Sequence, residues 1–229
     1  MKSKILNSKA YQVFDYICRL IILNLLLIII SFSIFLLAIN IFPDMKDIYQ
    51  MLFLIPTAIN LLPSIVAVAD VIRGYEIEKN TGVLKEFFTS FKKHFKKSFL
   101  LSVLLIISAL LISNSITFFS NMKAEGIIYT IGLALSLSIV VILIISMVHL
   151  PLTMIYFDDL KISHYIKLSL IFGFKDFGLS LLLTIFVVLT IVISSLSGFY
   201  LILIAFSLVI YLDVKLTKNK YVKISERNK

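Results

Sequence analysis

Five long runs without a charged residue divide this 229-residue sequence and limit what it can fold into. A helix needs roughly 20 apolar residues to cross about 30 Å of hydrocarbon. Three of the runs have the length of one such helix, and the fourth predicts a span near 127–150, with Pro151 marking its exit. The runs therefore predict membrane-spanning helices. They comprise residues 20–43, 48–69, 98–122, 126–157 and 177–212.

The fifth run holds 36 residues, which is too long for one crossing. It contains "SSLSG" at positions 194–198, a cluster that breaks helices and favours a turn. We interpret the run as a tight hairpin of two short helices, with a single crossing as the alternative if the hairpin does not fully cross. The predicted fold class is an all-α polytopic transmembrane helix bundle of about six spans, formed by a single integral membrane domain over residues 1–229. The spans are expected near 20–42, 48–69, 98–121, 127–150, 177–194 and 198–214, with cytoplasmic amphipathic connector helices at 70–97 and 158–176.

Few residues of this chain are charged, and most of the charged residues are basic. Hydrophobic residues make up 60% of it and charged residues 15%, whereas soluble domains have about 45–50% and about 25%. A net charge of +9 would suggest nucleic acid in a soluble protein, but the predicted cytoplasmic segments hold 20 of the 22 Lys and Arg residues. This asymmetry follows the positive-inside rule. It predicts a multi-pass protein of the bacterial cytoplasmic (plasma) membrane with both termini in the cytoplasm, and it excludes nucleic acid as the main partner.

The stretch "VLKEFFTSFKKHFKKS" at positions 83–98 combines lysines with phenylalanines. At 100° per residue its apolar residues share one side of a helix and its lysines the other. Such a helix can place its aromatic rings at the acyl boundary and its lysines against anionic lipid headgroups. Packing of the phenylalanines against neighbouring spans is the alternative. Both can hold together, and we expect partial burial against the bundle. The apolar side is Leu84, Phe87, Phe88, Phe91, Phe95 and Phe99, and the predicted membrane-surface basic face is Lys85, Lys92, Lys93, Lys96 and Lys97.

Three stretches carry a resemblance to a known family: "FDYICRLIILNLLL" (14–27), "PSIVAVADVIRGYE" (63–76) and the basic aromatic stretch. In this order they resemble the YesL-like family of bacterial integral membrane proteins of unknown function. The sequence departs from the family pattern at His94, where asparagine is usual, and lacks the tryptophan that follows the first-span asparagine. The resemblance implies about six spans and no established activity. Because members are often encoded near carbohydrate uptake systems, it also implies an accessory role.

Motifs for catalysis or cofactor binding do not occur in the sequence. It contains no G-x-G-x-x-G, P-loop, H-E-x-x-H or G-x-S-x-G pattern, so we expect no enzyme activity, no catalytic residue and no cofactor. Asp158, Asp159 and His164 could contribute to a cytoplasmic divalent-ion site, but a helix-flanking role is the favoured interpretation and we predict no metal site. The single cysteine, Cys18, excludes a disulfide framework.

Polar residues at membrane depth offer a second type of candidate site. Asn24, Asn60 and Pro63 form the candidate intramembrane polar site, because a helix interrupted by prolines can free carbonyls to line a cavity. Interhelical hydrogen bonding is the favoured alternative for these residues and for His149. The leading functional hypothesis is an accessory or regulatory membrane component linked to solute uptake, with carbohydrate as one class, acting beside other membrane proteins of that system. The alternative is a small-molecule transporter or channel with a cavity lined by spans one and two.

Overall fold

The computed structural model describes residues 9–41, 47–78, 82–121, 126–157, 159–198 and 204–227. Within these ranges the chain forms seven α-helices and no strand. The all-helical membrane bundle predicted from the charge-free runs is confirmed. Lys46, Lys79, Lys123 and Asp158, which entered the topology and ion-site predictions, lie outside the described residues. The helices are α1 (Lys9–Ile41), α2 (Asp47–Glu78), α3 (Val83–Asn121), α4 (Ile127–Tyr156), α5 (Ile162–Lys175), α6 (Phe177–Leu196) and α7 (Ala205–Arg227).

Five of the described helices are long and apolar enough to cross a membrane. The fifth charge-free run is divided between two helices, since α6 ends at Leu196 and α7 begins at Ala205. The break falls at the predicted Ser- and Gly-containing turn. The sixth span stays a prediction, because residues 199–203 lie outside the described part and α7 is not among the five apolar helices. The five apolar segments are Tyr11–Ser31, Ile55–Tyr75, Val83–Asn121, Tyr129–Tyr156 and Phe177–Ser194.

Helix α2 lies at the centre of the bundle and packs against α1, α3, α4 and α7. In its most apolar stretch of 18 residues 56% of the residues are buried, compared with 11–22% in the corresponding stretches of the other four helices. The sequence explains this position, because Ala67 and Ala69 are fully buried and small residues let neighbouring helices approach closely. The outer helices consequently present most of their apolar side chains to lipid.

The two predicted connectors differ in structure. The first is not a separate helix, since α2 continues to Glu78 and α3 runs without interruption from the basic stretch into the third apolar segment. The second forms α5, which ends at Lys175, and only Asp176 separates it from α6. Both connectors lie at one end of the bundle, which we call the connector end: it holds Asp70 of α2, the first turns of α3, and α5.

Candidate functional site

Four polar side chains of α2 and α3 meet at the connector end. The Asp70 carboxylate accepts a hydrogen bond from Ser90 Oγ at 2.7 Å and pairs with Arg73 Nη2, also at 2.7 Å. His94 Nε2 lies 3.6 Å from Asp70 Oδ2. The side chain of Asp70 is 14% exposed and that of His94 is 7% exposed. Because this carboxylate is largely removed from water, it needs these partners, and they fasten α2 to α3.

Arg73 extends the cluster to α4. Its Nη1 donates to the backbone carbonyl of Ile155, and its guanidinium lies 5.4 Å from the ring centre of Tyr156. These two residues end α4, and the last carbonyls of a helix have no partner within the helix. A cation at this end also interacts favourably with the helix dipole. Arg73 therefore caps α4 from α2.

A more exposed contact joins α3 to the segment before α5. Lys97 Nζ lies 3.1 Å from Asp159 Oδ1 and 5.8 Å from the ring centre of Tyr165. The Tyr165 hydroxyl is buried and donates to the carbonyl of Phe157 at 3.0 Å. Asp159 has the left-handed φ of 61° and is 98% exposed, so its ion pair with Lys97 adds little stability. The buried tyrosine, rather than the ion pair, holds α5 in place.

The first half of α3 presents three faces: one toward the bundle, an exposed apolar face and an exposed basic face. The helical wheel predicted only an apolar and a basic face. The face toward the bundle is largely polar and consists of Phe87, Ser90, His94 and Ser98, continuing to Leu101 and Ser102. Of the predicted apolar side only Phe87 is buried, and Phe91 is half-buried. The remaining members are exposed beside the lysines, in the position expected for contact with lipid. These exposed apolar residues are Leu84, Phe88, Phe95 and Phe99.

The basic face lies on the outside of α3, as predicted. Lys85, Lys92, Lys93 and Lys96 are exposed, and Lys97 is half-buried against α5. Phe88 and Thr89 complete a shallow open groove with the first three lysines. The ammonium groups of Lys85, Lys92 and Lys96 have no ion pair within the described residues. Lys85 and Lys92 can therefore bind an anion in this groove without the loss of an ion pair within the described residues.

The candidate intramembrane residues occupy different environments. Asn24 is fully buried, and its Oδ1 accepts hydrogen bonds from the backbone N–H groups of Phe206 at 3.0 Å and Ser207 at 3.1 Å. Pro63 is buried in α2, which continues through it, whereas the Asn60 side chain is half-buried and forms no hydrogen bond in the described part of the chain. Asn24 thus caps α7 from α1. A solute cavity around Asn24, Asn60 and Pro63 stays a prediction.

His149 is the centre of a buried hydrogen-bond chain through four helices. Its Nε2 lies 2.8 Å from Ser180 Oγ, and its Nδ1 lies 3.2 Å from the Tyr221 hydroxyl. Ser180 donates its single proton to the carbonyl of Gly173 at 2.8 Å or of Asp176 at 3.1 Å. In this arrangement its oxygen accepts from a protonated His149 Nε2, and Nδ1 accepts from Tyr221. This assignment fixes one neutral tautomer of His149.

The residues around His149 favour this assignment of hydrogen-bond donors and acceptors. Burial raises the pKa of Tyr221, so its phenol stays protonated and can donate to His149. A Cβ at Gly173 would collide with the Ile145 side chain, so glycine allows the close approach of α5 to α4. Sequence reasoning identified His149 as polar at depth but missed Ser180 and Tyr221 as its partners. No spacing rule could have indicated them, because they lie 31 and 72 residues away.

Asp213 is a buried carboxyl group that directly follows the fifth charge-free run. It is 8% exposed, and its Oδ1 forms no hydrogen bond in the described structure. It lies at the end of the predicted sixth span, near 198–214. An unpaired acid inside a membrane bundle is by default a functional candidate.

No group of three or more His, Cys, Asp or Glu side chains is placed for metal binding among the described residues. Asp159 pairs with Lys97, and His164 is exposed on α5. The structure therefore does not bring these two residues of the considered ion site together with a third described ligand.

Comparison with known proteins finds one family that is similar to part of this chain. A family described as "Protein of unknown function, DUF624" matches residues 20–115. The matched region begins within α1, includes α2 and ends in α3, so it contains Asn24, Arg73 and the basic face. No curated protein and no solved structure matches the chain. The match is consistent with the resemblance carried by the three sequence stretches, and its description supplies no activity.

Proposed function

We propose that this protein is an accessory or regulatory component of a solute uptake system in a bacterial cytoplasmic membrane, and that carbohydrate is the solute class. It acts without catalysing a reaction, and its basic face on α3 contacts anionic headgroups beside its membrane partners. One observation carries the proposal. The polar groups of Asn24, Arg73 and His149 are engaged in contacts between helices, whereas the ammonium groups of Lys85, Lys92 and Lys96 are exposed and unpaired in the described structure.

The arrangement around these lysines supports a membrane-surface role. Phe88, Phe95 and Phe99 are exposed on the adjoining face, where they can enter the acyl boundary while the lysines stay at the headgroups. Each basic residue near an anionic leaflet contributes about 1 kcal/mol. A nucleic-acid surface would instead combine aromatic and basic side chains on one face. Of the three exposed rings only Phe88 lines the groove with the lysines, whereas Phe95 and Phe99 lie outside it, and this arrangement favours lipid.

The experiment is complementation of a deletion strain, with solute uptake as the readout and protein abundance checked by immunoblot. We expect the triple variant Lys85→Gln, Lys92→Gln and Lys96→Gln to reduce uptake by the host transporter, because the connector end then binds the membrane surface less strongly. The matched control replaces the same three lysines with arginine, which keeps the charge, and should restore uptake. Normal uptake with the glutamine variant at normal abundance would refute the role of this face.

The second candidate function is a small-molecule transporter or channel. The unpaired carboxyl of Asp213 and the free side-chain amide of Asn60 favour it, because transport pathways use ionisable and polar groups inside the bundle. Purified protein in liposomes separates the two candidates. The transporter function would be supported if the wild-type protein moves a solute and both Asp213→Asn and Asn60→Leu abolish this flux. The variant with three Lys→Gln substitutions should then remain active, and the accessory role would be rejected.

A further inference from the structure

Helix α7 carries an acid in the interior of the bundle. Asp213 is 8% exposed, and its side chain forms no hydrogen bond or ion pair with any described residue. It precedes Lys220 by seven residues, which is about 10 Å along the helix axis. Lys220 is exposed and pairs with Asp176 at the connector end. Asp213 therefore lies about one and a half to two helical turns deeper in the bundle than this charged surface.

The cations on the helices packed against α7 are engaged elsewhere. These helices are α1, α2, α4 and α6. Arg19 of α1 pairs with Asp15 at 2.7 Å. Arg73 of α2 pairs with Asp70 at 2.7 Å, and α6 has no titratable residue. The carboxyl group of Asp213 consequently has no counter-charge within the described structure. The principal titratable groups of these neighbours toward the connector end are Tyr16 and Arg19 of α1, Asp70, Arg73 and Tyr75 of α2, and His149 and Tyr156 of α4.

The chemistry around Asp213 selects a proton as its ligand. Burial of an ionised carboxylate without a partner is so unfavourable that the group takes up a proton and becomes neutral. A metal ion would need several ligands, but no group of three or more His, Cys, Asp or Glu side chains is placed for one in the described part of the chain. The hydroxyl of Thr217, one turn along α7, donates to the backbone carbonyl of Asp213 at 2.6 Å and is already engaged. A neutral carboxylic acid needs no counter-charge, so a proton fits this site.

We propose that Asp213 is a proton-binding site, which is protonated while α7 is packed in the bundle and ionises only when α7 moves and admits water. On opening, the O–H bond of the acid breaks, the proton passes to water and a hydrated carboxylate remains. Closure reverses these steps, so no other reactant is needed. A rise in pH therefore favours the open form, and a fall in pH favours the closed form. Burial raises the pKa of Tyr221, so this phenol stays neutral over the same range. The site goes beyond the proposed function and does not depend on which of the two candidate functions is correct.

Infrared spectroscopy tests the protonation state directly. The protein is measured at neutral pH in a detergent without carbonyl groups, where the C=O stretch of a protonated acid is separate from the bands of carboxylates. We expect this band in the wild-type protein, a shift of the band after isotopic labelling of aspartate, and its loss in Asp213→Asn. Asp159→Asn is the matched control, since it removes an acid that is 98% exposed and should leave the band unchanged. A labelled wild-type protein without the band, or a band that persists in Asp213→Asn, would overturn the proposal.

The pH dependence of α7 opening tests the link between the proton and the conformation. Amide hydrogen exchange at Thr217 is compared in the wild-type protein and Asp213→Asn between about pH 5.5 and about pH 8. The variant has no proton to release, so the ratio of the wild-type opening constant to that of the variant should rise by up to about tenfold per pH unit. This ratio removes the intrinsic pH dependence of exchange and the contribution of groups that both proteins share, such as His149. Asp159→Asn should keep the wild-type pH dependence. Equal pH dependence in the wild-type protein and Asp213→Asn would overturn the proposal.

Discussion

The Asn24 side-chain oxygen accepts a hydrogen bond from the backbone N–H of Phe206, at 3.0 Å and across 182 residues of sequence. The first N–H groups of a helix have no partner within that helix. Inside a membrane bundle water cannot supply one, so a side chain from another helix must. Asn24 does this for both Phe206 and Ser207. The contact explains how α7 can begin against α1 without leaving unpaired backbone groups.

Replacement of Asn24 by leucine should destabilise the start of α7. Loss of an N-terminal cap costs about 0.5–2 kcal/mol, and we expect the upper part of this range because the site is fully buried. The measurement is amide hydrogen exchange of the purified protein, which should become faster at Phe206 and Ser207. Asn60→Leu is the control, since the half-buried Asn60 amide forms no described hydrogen bond. Unchanged exchange at both amides would show that the cap is dispensable.

Arg73→Ala should lower the stability of the protein strongly. The substitution removes the cap on Ile155 and leaves the mostly buried Asp70 without its cation, and breaking a buried pair costs about 3–5 kcal/mol. We expect the lower part of this range, because the Arg73 side chain is 28% exposed. Arg73→Lys should recover only part of the loss, since an ammonium cannot reach two acceptors with the geometry of a guanidinium. Thermal unfolding in detergent is the measurement.

The exposed ion pair at the connector end supplies the control for Arg73. Asp159→Asn removes the partner of Lys97 but keeps a residue type that tolerates a positive φ. Because Asp159 is 98% exposed, we expect almost no change in unfolding temperature. If Asp159→Asn and Arg73→Ala were equally harmful, the Asp70–Arg73 cluster would have no special role.

The helices could be predicted from the sequence because lipid-facing surfaces require apolar residues, and charge-free runs reveal them directly. The side of α3 that is buried in the bundle could not be predicted in the same way. In a membrane protein the most apolar side of a helix faces lipid, so Phe88 and Phe95 are exposed while Ser90 and His94 face the bundle. A helical wheel interpreted as for a soluble protein therefore assigns the wrong side to the interior.

The interior contacts were also beyond sequence reasoning. Asn24 and His149 were identified as polar groups at depth, and hydrogen bonding between helices was the favoured interpretation for both. Their partners could not be named, because a local pattern does not tell which distant helix packs against which. The burial of Asp213 could not be predicted either, because a charged residue at the end of an apolar run gives no sign of the helices that pack over it.

The direction of the hydrogen-bond chain through His149 gives a third prediction. Tyr221→Phe removes the proton donor to Nδ1, and His149→Leu removes both ring nitrogens. Each variant should lose about 1–3 kcal/mol, because each leaves a buried polar group without its partner. The double variant should lose less than the sum, by about 0.5–3 kcal/mol, since the two side chains are in contact. Strict additivity in chemical unfolding would contradict a direct His149–Tyr221 bond.

The side of the membrane that holds the C-terminus can be argued from the structure as well as from the basic residues. Lys220 Nζ of α7 lies 2.6 Å from Asp176 Oδ1, and Asp176 directly precedes α6 at the connector end. We therefore expect Lys218 on the same side of the membrane as the connectors, and the positive-inside rule predicts that this side is cytoplasmic. In a Cys18→Ser background, Lys46→Cys and Lys123→Cys should react with a membrane-impermeant thiol reagent in whole cells. Lys218→Cys should react only after the cells are opened. External labelling of Lys218→Cys in intact cells would refute both the cytoplasmic C-terminus and the six-span topology.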